Sequence, residues 1–241
     1  MGAVQAAPPR VAVASNFTDT LTEIAARFRA DSGQRVKLSF GSSGNFAHQI
    51  MQGAPYDIFI SADRHYIEKL GKRITPRTPI REFAQGTLCV FVPDGSQLAG
   101  AADAEALFQA LSFGQYRRIA IANPEYAPYG VAARQAMQSG GLWVLERDRV
   151  LVGENVAQAA QYTLSGGVDA GFVPCSFSVL KAFRAAGRFI TLPDAAYAPI
   201  RQYAVLLHPD SADGRRFFEY LFGDDARAIV RKYGYRVPPA D

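Results

Sequence analysis

The sequence predicts an α/β fold with mostly parallel sheets, and three observations carry that expectation. Short apolar runs of β type alternate with stretches of helical period along the whole chain. Several of those runs break into a Ser, Asn or Gly cluster that opens a helix, as a strand does when it feeds a crossover. No low-complexity linker divides the chain, yet the elements are too many for one sheet. Two lobes with more than one crossover account for both facts.

The elements follow in order. Val11–Ala14 is a β-type run that breaks at Ser15-Asn16. Phe17, Leu21, Ile24, Ala25 and Phe28 then recur at the spacing of one helix face. Residues 34–40 alternate, with Val36, Leu38 and Phe40 on one side, and predict a second strand. It runs into Gly41–Asn45 and a helix over Phe46–Met51. Asp57–Ser61 is a short strand, and Ser61 or Asp63 is placed to cap a helix over His65–Gly71. Capping is likewise the role expected of Asp57. The Pro/Thr/Arg-rich stretch 74–86 reads as connection, and Thr87–Pro93 as a strand buried on both faces.

A helix over 103–111 and a strand over Arg118–Ala122 lead to Asn123–Gly130, and Val131 onward is helical again. Val150–Val152 passes through Gly153-Glu-Asn155 into a helix over 156–164. Asp169–Pro174 is a strand, followed by a helix over 176–186. A loop from Leu192 to Tyr197 and a strand over Gln202–His208 come next. Helices over Ser211–Phe222 and Asp224–Tyr233 close the chain, the first capped by Ser211 and the second with Asp224 and Asp225 against its dipole.

Composition excludes several function classes. At 241 residues and 49% apolar content the chain can bury real cores, and 20% charge without blocks argues against wholesale disorder. The net charge of +4 (26 basic less 22 acidic) is scattered, in pairs such as Lys72-Arg73, Arg117-Arg118 and Arg215-Arg216. Nucleic-acid binding would need such charge gathered on one face, so none is expected. No run approaches the roughly 18 apolar residues of a membrane span. Residues 1–9 read as an N-terminal tail, a tag or processed remnant without the basic and apolar regions of a signal peptide. Cys89 and Cys175 both sit in apolar runs, so buried free thiols are the expected state and a single bridge the alternative. His48, His65 and His208 form no HExxH or similar pairing, and no metal site is expected. The chain also lacks GxSxG, and Ser42 and Ser43 have no identifiable base, so no enzyme activity is indicated.

Four strand-to-helix junctions share one design: Ser15-Asn16, Ser42-Ser43-Gly44, Tyr129-Gly130 and Asn155-Val156. Each offers backbone N–H groups or hydroxyls at a helix start, where negative charge is favoured by about 0.3–1 kcal/mol, and up to ~2 when partly buried. A single Ser-Asn before a helix is as readily a simple cap. It is the recurrence that points to an anion. None of the four carries Lys or Arg within two residues, and there is no GxxxxGK[ST] loop, which argues against a nucleotide phosphate. Neutral donors in a dry cleft suit a small, fully desolvated oxyanion.

Several motifs together resemble a known family. They are Ser15-Asn16, Ser39–Asn45, the block Gly53-Ala-Pro-Tyr-Asp-Ile-Phe-Ile-Ser-Ala-Asp63, Asn123–Gly130 and the closing Lys232-Tyr-Gly-Tyr235. The chain from about residue 10 resembles the periplasmic molybdate-binding proteins of ABC transporters, which belong to the type II periplasmic-binding-protein fold. The resemblance implies two α/β lobes joined by crossover strands and closing over one tetrahedral molybdate or tungstate. Lobe 1 is then 10–86 with 202–241, lobe 2 is 87–201, and the crossovers lie near Cys89 and Tyr203. By position, it implies contacts from the hydroxyl and N–H of Ser15 and Ser43 and from the backbone N–H of Tyr129 and Val156. Asn16 matches the variant with Asn after the first hydroxyl residue. One departure stands out: some members carry a donating tyrosine where this chain has Pro174, so Asn16 or the Tyr129 region would supply the missing donor.

The implied protein is no enzyme and holds no cofactor. It is a monomeric periplasmic binding protein that passes its anion to a membrane permease and reaches the metal only through its oxygens. Sulfate, phosphate or iron carriage is the alternative within the same fold. The effector domain of a regulator is not expected, since no helix-turn-helix stretch precedes residue 10.

Overall fold

The computed structural model describes residues 7–75, 77–143 and 147–239. Residues 1–6 of the expected tail lie outside the described residues. The first strand, β1 (Arg10–Ala14), passes through one 3-10 turn at Ser15–Phe17 into α1 (Thr18–Ser32). Helix α1 ends at Gly33, whose φ of 72° lets its N–H turn back to the Arg29 carbonyl. Then come β2 (Lys37–Gly41), α2 (Ser43–Met51), β3 (Ile58–Ser61) and α3 (Arg64–Glu68). Asp63 caps α3 by accepting from the His65 N–H. Asp57 does not cap a helix: its carboxylate accepts the Arg10 N–H at 2.7 Å and ties the start of β1 to the start of β3. The stretch read as connection contains a further strand, β4 (Ile80–Gly86). Its sequence, Ile-Arg-Glu-Phe-Ala-Gln-Gly, pairs two polar residues with two apolar ones rather than alternating, so the period-two signal of a strand is missing.

The chain continues through β5 (Leu88–Pro93), α4 (Ala104–Ser112), β6 (Ile119–Ala122), α5 (Pro128–Ser139), β7 (Val150–Gly153), α6 (Val156–Leu164) and β8 (Ala170–Pro174). The helix expected over 176–186 is a 3-10 segment at Cys175–Val179 and a single turn of α-helix, α7 (Lys181–Arg184), and a strand, β9 (Gly187–Thr191), follows it. Phe177, Leu180 and Phe183 recur at helical spacing, but Leu180 is extended (φ −76°, ψ 132°) between the two pieces, and Phe183 packs on Phe91 of β5 with centroids 4.9 Å apart. Finally β10 (Ile200–Leu206) leads to α8 (Ala212–Tyr220), capped by Ser211, and α9 (Asp224–Lys232).

Two compact units result. The first takes the chain through Ala84, Arg201–Lys232 and the segment from Arg236; the second takes Gln85–Ile200 and Tyr233–Tyr235. The chain leaves the first unit within β4 and re-enters it within β10.

The first unit's sheet has the order β2-β1-β3-β10-β4. Strands β2, β1 and β3 are parallel, and β10 joins β3 antiparallel. One face of it buries Ala12, Phe59 and Val205 under Phe46, Ile50 and Ile67 of α2 and α3. Helix α1 buries Leu21, Ile24 and Phe28, with Phe28 edge-on to Phe217 of α8 at 5.0 Å between centroids. Each such fully buried side chain contributes about 1.5–3 kcal/mol.

The second unit's sheet has the order β7-β6-β8-β5-β9. Again three strands, β7, β6 and β8, are parallel, while β5 pairs antiparallel with both β8 and β9. Both sheets are therefore mixed, a parallel core extended by antiparallel strands. Leu88–Val92 of β5 is buried throughout, which matches its uninterrupted apolar sequence.

Cys89 and Cys175 are not free thiols but a disulfide, with their Cα atoms 5.0 Å apart. The register explains the difference. Cys89 pairs with Val173, so Cys175 lies two residues on, a diagonal neighbour on the same face of the strand pair. Two apolar runs read separately carry no sign of that antiparallel partnership.

Candidate functional site

In the first unit the parallel register brings three strand ends level. Ala14 pairs with Gly41 and Val13 with Ile60, so Ser15, Ser42 and Ala62 all stand just beyond the same sheet edge. Tyr203 lies opposite Ser61, which sets Gln202 beside Ala62. Ser15, Asn16, Ser42, Ser43 and Gln202 are polar and all buried. Buried polar groups without partners are costly, so this concentration marks the edge as a built polar site.

Ser42 and Ser43 divide two tasks. Ser42 is the N-cap of α2, its hydroxyl accepting from the Asn45 N–H at 3.3 Å. Ser43 opens the helix, and its Oγ accepts the Ala62 N–H at 3.0 Å. An Oγ that takes a backbone donor has its own proton left to give, so the Ser43 hydroxyl is polarised as a donor. No side chain caps the turn at Ser15–Phe17 or the start of α1. Asn16 is held by its side chain, Nδ2 donating to Gln202 Oε1 at 2.9 Å.

In the second unit Ala122 pairs with Gly153, and Ala120 with Gly171, so β6, β7 and β8 also end at one edge. Helix α5 starts there after Ala127, which has no capping side chain, with Pro128 at the first helical position. Proline has no N–H, so Tyr129 carries the first amide hydrogen of the helix. Gly130 is required: a Cβ there would sit 2.3 Å from the Ala122 carbonyl oxygen. That close approach lays the first turn of α5 directly over the end of β6. At α6, Asn155 accepts from the N–H groups of Ala157 and Gln158, and Val156 stands ahead of them at the first helical position. Tyr129 and Val156 are both buried.

Pro174 ends β8 at this same edge, paired with Leu88, and offers no N–H. Just beyond it Cys175 is bridged to Cys89, and Ser176 Oγ lies 3.0 Å from the Tyr235 hydroxyl. Tyr235 of the closing motif, itself part of the second unit, thus reaches the end of β8.

Within the first unit the structure brings Ser15, Asn16 and Ser43 to one edge, and within the second it brings Tyr129 and Val156 to another. Two further participants escaped the sequence: Ala62, whose contribution is a backbone N–H, and Gln202. A buried amide at the head of the apolar run Tyr203–Leu206 is the one signal that could have exposed Gln202. Among the described residues, no three His, Cys, Asp or Glu side chains are placed to hold a metal ion. No helix among them is long and apolar enough to cross a membrane. What these edges can do is donate hydrogen bonds from neutral groups at helix starts, which is the chemistry of an anion receptor.

Two units of mixed sheet, each ending in uncharged helix-start donors, define a solute-binding fold of the periplasmic type. The sequence pattern of bacterial extracellular solute-binding proteins matches residues 9–236, and the chain belongs to that family. It is 35% identical over 236 residues to the molybdate-binding protein ModA of Azotobacter vinelandii, covering 97% of this chain and 91% of that one. The ModA protein of Rhodobacter capsulatus is 33% identical over 228 residues, covering 93% and 86%. Among solved structures, the periplasmic molybdate-binding protein of Azotobacter vinelandii superposes with a TM-score of 0.85 at 33% identity, over 96% of this chain and all (100%) of that one.

Proposed function

We propose that this protein binds molybdate or tungstate and delivers it to the membrane permease of an ABC transporter. The anion receives hydrogen bonds from Ser15, Asn16 and Ser43 of the first unit and from the N–H groups of Tyr129 and Val156 of the second. It works in the periplasm as a monomer, catalyses nothing and needs no cofactor. The metal atom is met only through its oxygens. Position 174 supplies no donor, and Asn16 serves in its place.

One observation carries the reading. Ser43 Oγ is fixed by the Ala62 N–H at a buried helix start, so a hydroxyl donor is already oriented before any ligand arrives. Preorganised neutral donors favour a desolvated dianion without a countercharge. Relatives that carry the name molybdate-binding protein, at coverage above nine-tenths of this chain, support the choice of anion. Molybdate and sulfate share shape and charge, so the choice between them rests on size. Donors spaced for the larger anion leave some unpaired around the smaller one, at about 1–3 kcal/mol each.

Titration calorimetry of the protein with molybdate, tungstate, sulfate and phosphate tests this. Tight binding of the first two, with sulfate and phosphate at least ten-fold weaker, is the expected result. Sulfate or phosphate binding as tightly as molybdate would refute the assignment.

A further inference from the structure

Gln202 is fully buried, and its Oε1 accepts a hydrogen bond from Asn16 Nδ2 at 2.9 Å across 186 residues of sequence. We infer that Gln202 is a positioning residue for anion binding, acting through Asn16; this rests on the function proposed above. The turn it holds, Ser15–Phe17, has no capping side chain, so it depends on anchorage from elsewhere. Part of that anchorage is local, the Thr18 hydroxyl donating to the Ser15 carbonyl at 2.8 Å. Gln202 anchors the same turn from another strand. It sits two residues into the chain's return to the first unit, on β10, beside the Ala62 whose N–H fixes Ser43.

One amide on β10 therefore sets the Asn16 side chain in a fixed plane and places the Ser15 turn against the edge that carries Ser43. An amide plane fixed at one hydrogen bond fixes the direction of every other polar atom it bears. No apolar side chain could do this, because it carries no acceptor for the Asn16 amide. Gln202 does not need to touch the anion.

A double-mutant cycle on the full chain tests the inference, with molybdate affinity read by calorimetry and folding by circular dichroism. Gln202→Met keeps the length and volume of the side chain and removes the acceptor. Alone it is expected to weaken molybdate binding about ten-fold or more. In an Asn16→Ala background the same change is expected to cost almost nothing, because the residue it acts through is gone. Equal losses in both backgrounds, or no loss in either, would overturn the inference while wild-type binding left the proposed function standing. A wild-type protein that bound no molybdate would overturn both. If Gln202→Met does not fold, Gln202→Glu decides. It keeps an acceptor for Asn16 but brings a carboxylate to an anion site, so affinity is expected to fall at pH 8 and recover toward pH 5 as that group protonates. A loss of affinity that persisted at pH 5, where the neutral group still offers Asn16 its acceptor, would refute the assignment.

Discussion

Ser43→Ala separates two roles that one oxygen performs, and the structure sets the size of each. Ser43 Oγ is buried and accepts the Ala62 N–H at 3.0 Å. Removing it leaves that N–H without this acceptor in free and bound protein alike, so stability falls by about 1–3 kcal/mol whether or not anion is present. For a chain of this size the melting temperature drops by roughly 2–4 °C per kcal/mol. Being common to both states, that penalty cancels in the dissociation constant. What remains is the lost hydroxyl donor to a charged acceptor, about 1.5–3 kcal/mol, or roughly 10- to 150-fold in affinity. Urea unfolding without ligand reads the first quantity and calorimetric titration with molybdate the second. Reduced stability with unchanged affinity would show that Ser43 braces β3 and gives nothing to the anion. Reduced affinity with unchanged stability would show that the Ala62 bond contributes nothing.

Two further perturbations test the frame around the site. Replacing both Cys89 and Cys175 by Ala removes a cross-link between residues 86 apart, and urea unfolding is expected to show a loss of about 2–5 kcal/mol; an unchanged midpoint would contradict it. At α1 and α8, the Tyr220 hydroxyl donates to Asp31 at 2.7 Å, and Arg27 pairs with the same carboxylate. The Tyr220 bond, ahead of Arg27, holds the Asp31 carboxyl below its ordinary value. That contribution is complete above the unfolded carboxyl's pKa near 3.9 and is lost as pH falls through the lower folded value. Burial first, and Asp31 second, push the Tyr220 hydroxyl up to about 12. Its contribution is present below the unfolded pKa of about 10 and is lost as pH rises toward the folded one. Asp31→Asn is expected to flatten the loss of stability between about pH 4 and pH 2, measured by urea midpoints; an identical acid profile would contradict it.

Much of the candidate site's placement at helix starts was legible because its parts are local. Ser15-Asn16, Ser42-Ser43 and Asn155-Val156 lie where an apolar run meets a helical period, and a helix start announces itself within a few residues. Tyr129 was reached the same way, although its helix begins one turn earlier than the period suggested, because Pro128 fills a position that needs no N–H. The boundary errors fall elsewhere. Strand β4 hid because its polar and apolar residues do not alternate, and the segment after Cys175 looked helical because no local signal opposes it. Only its packing against β5 does.

By itself, then, the sequence determined the alternation of strands and helices, the uncharged character of the four junctions and the membership of the family. Each depends on contacts within about one helical turn or on a pattern of residue types. Tertiary structure alone decided which strands run antiparallel, that Cys89 meets Cys175, and that Gln202 holds Asn16. Those partners are 86 and 186 residues apart. Pairings over such distances follow from register and packing, where a shift of one residue turns a side chain to the opposite face. The Ser15-Asn16 turn shows the division most plainly. Its donors are written in adjacent residues, while the anchorage that aims them comes from the far end of the chain.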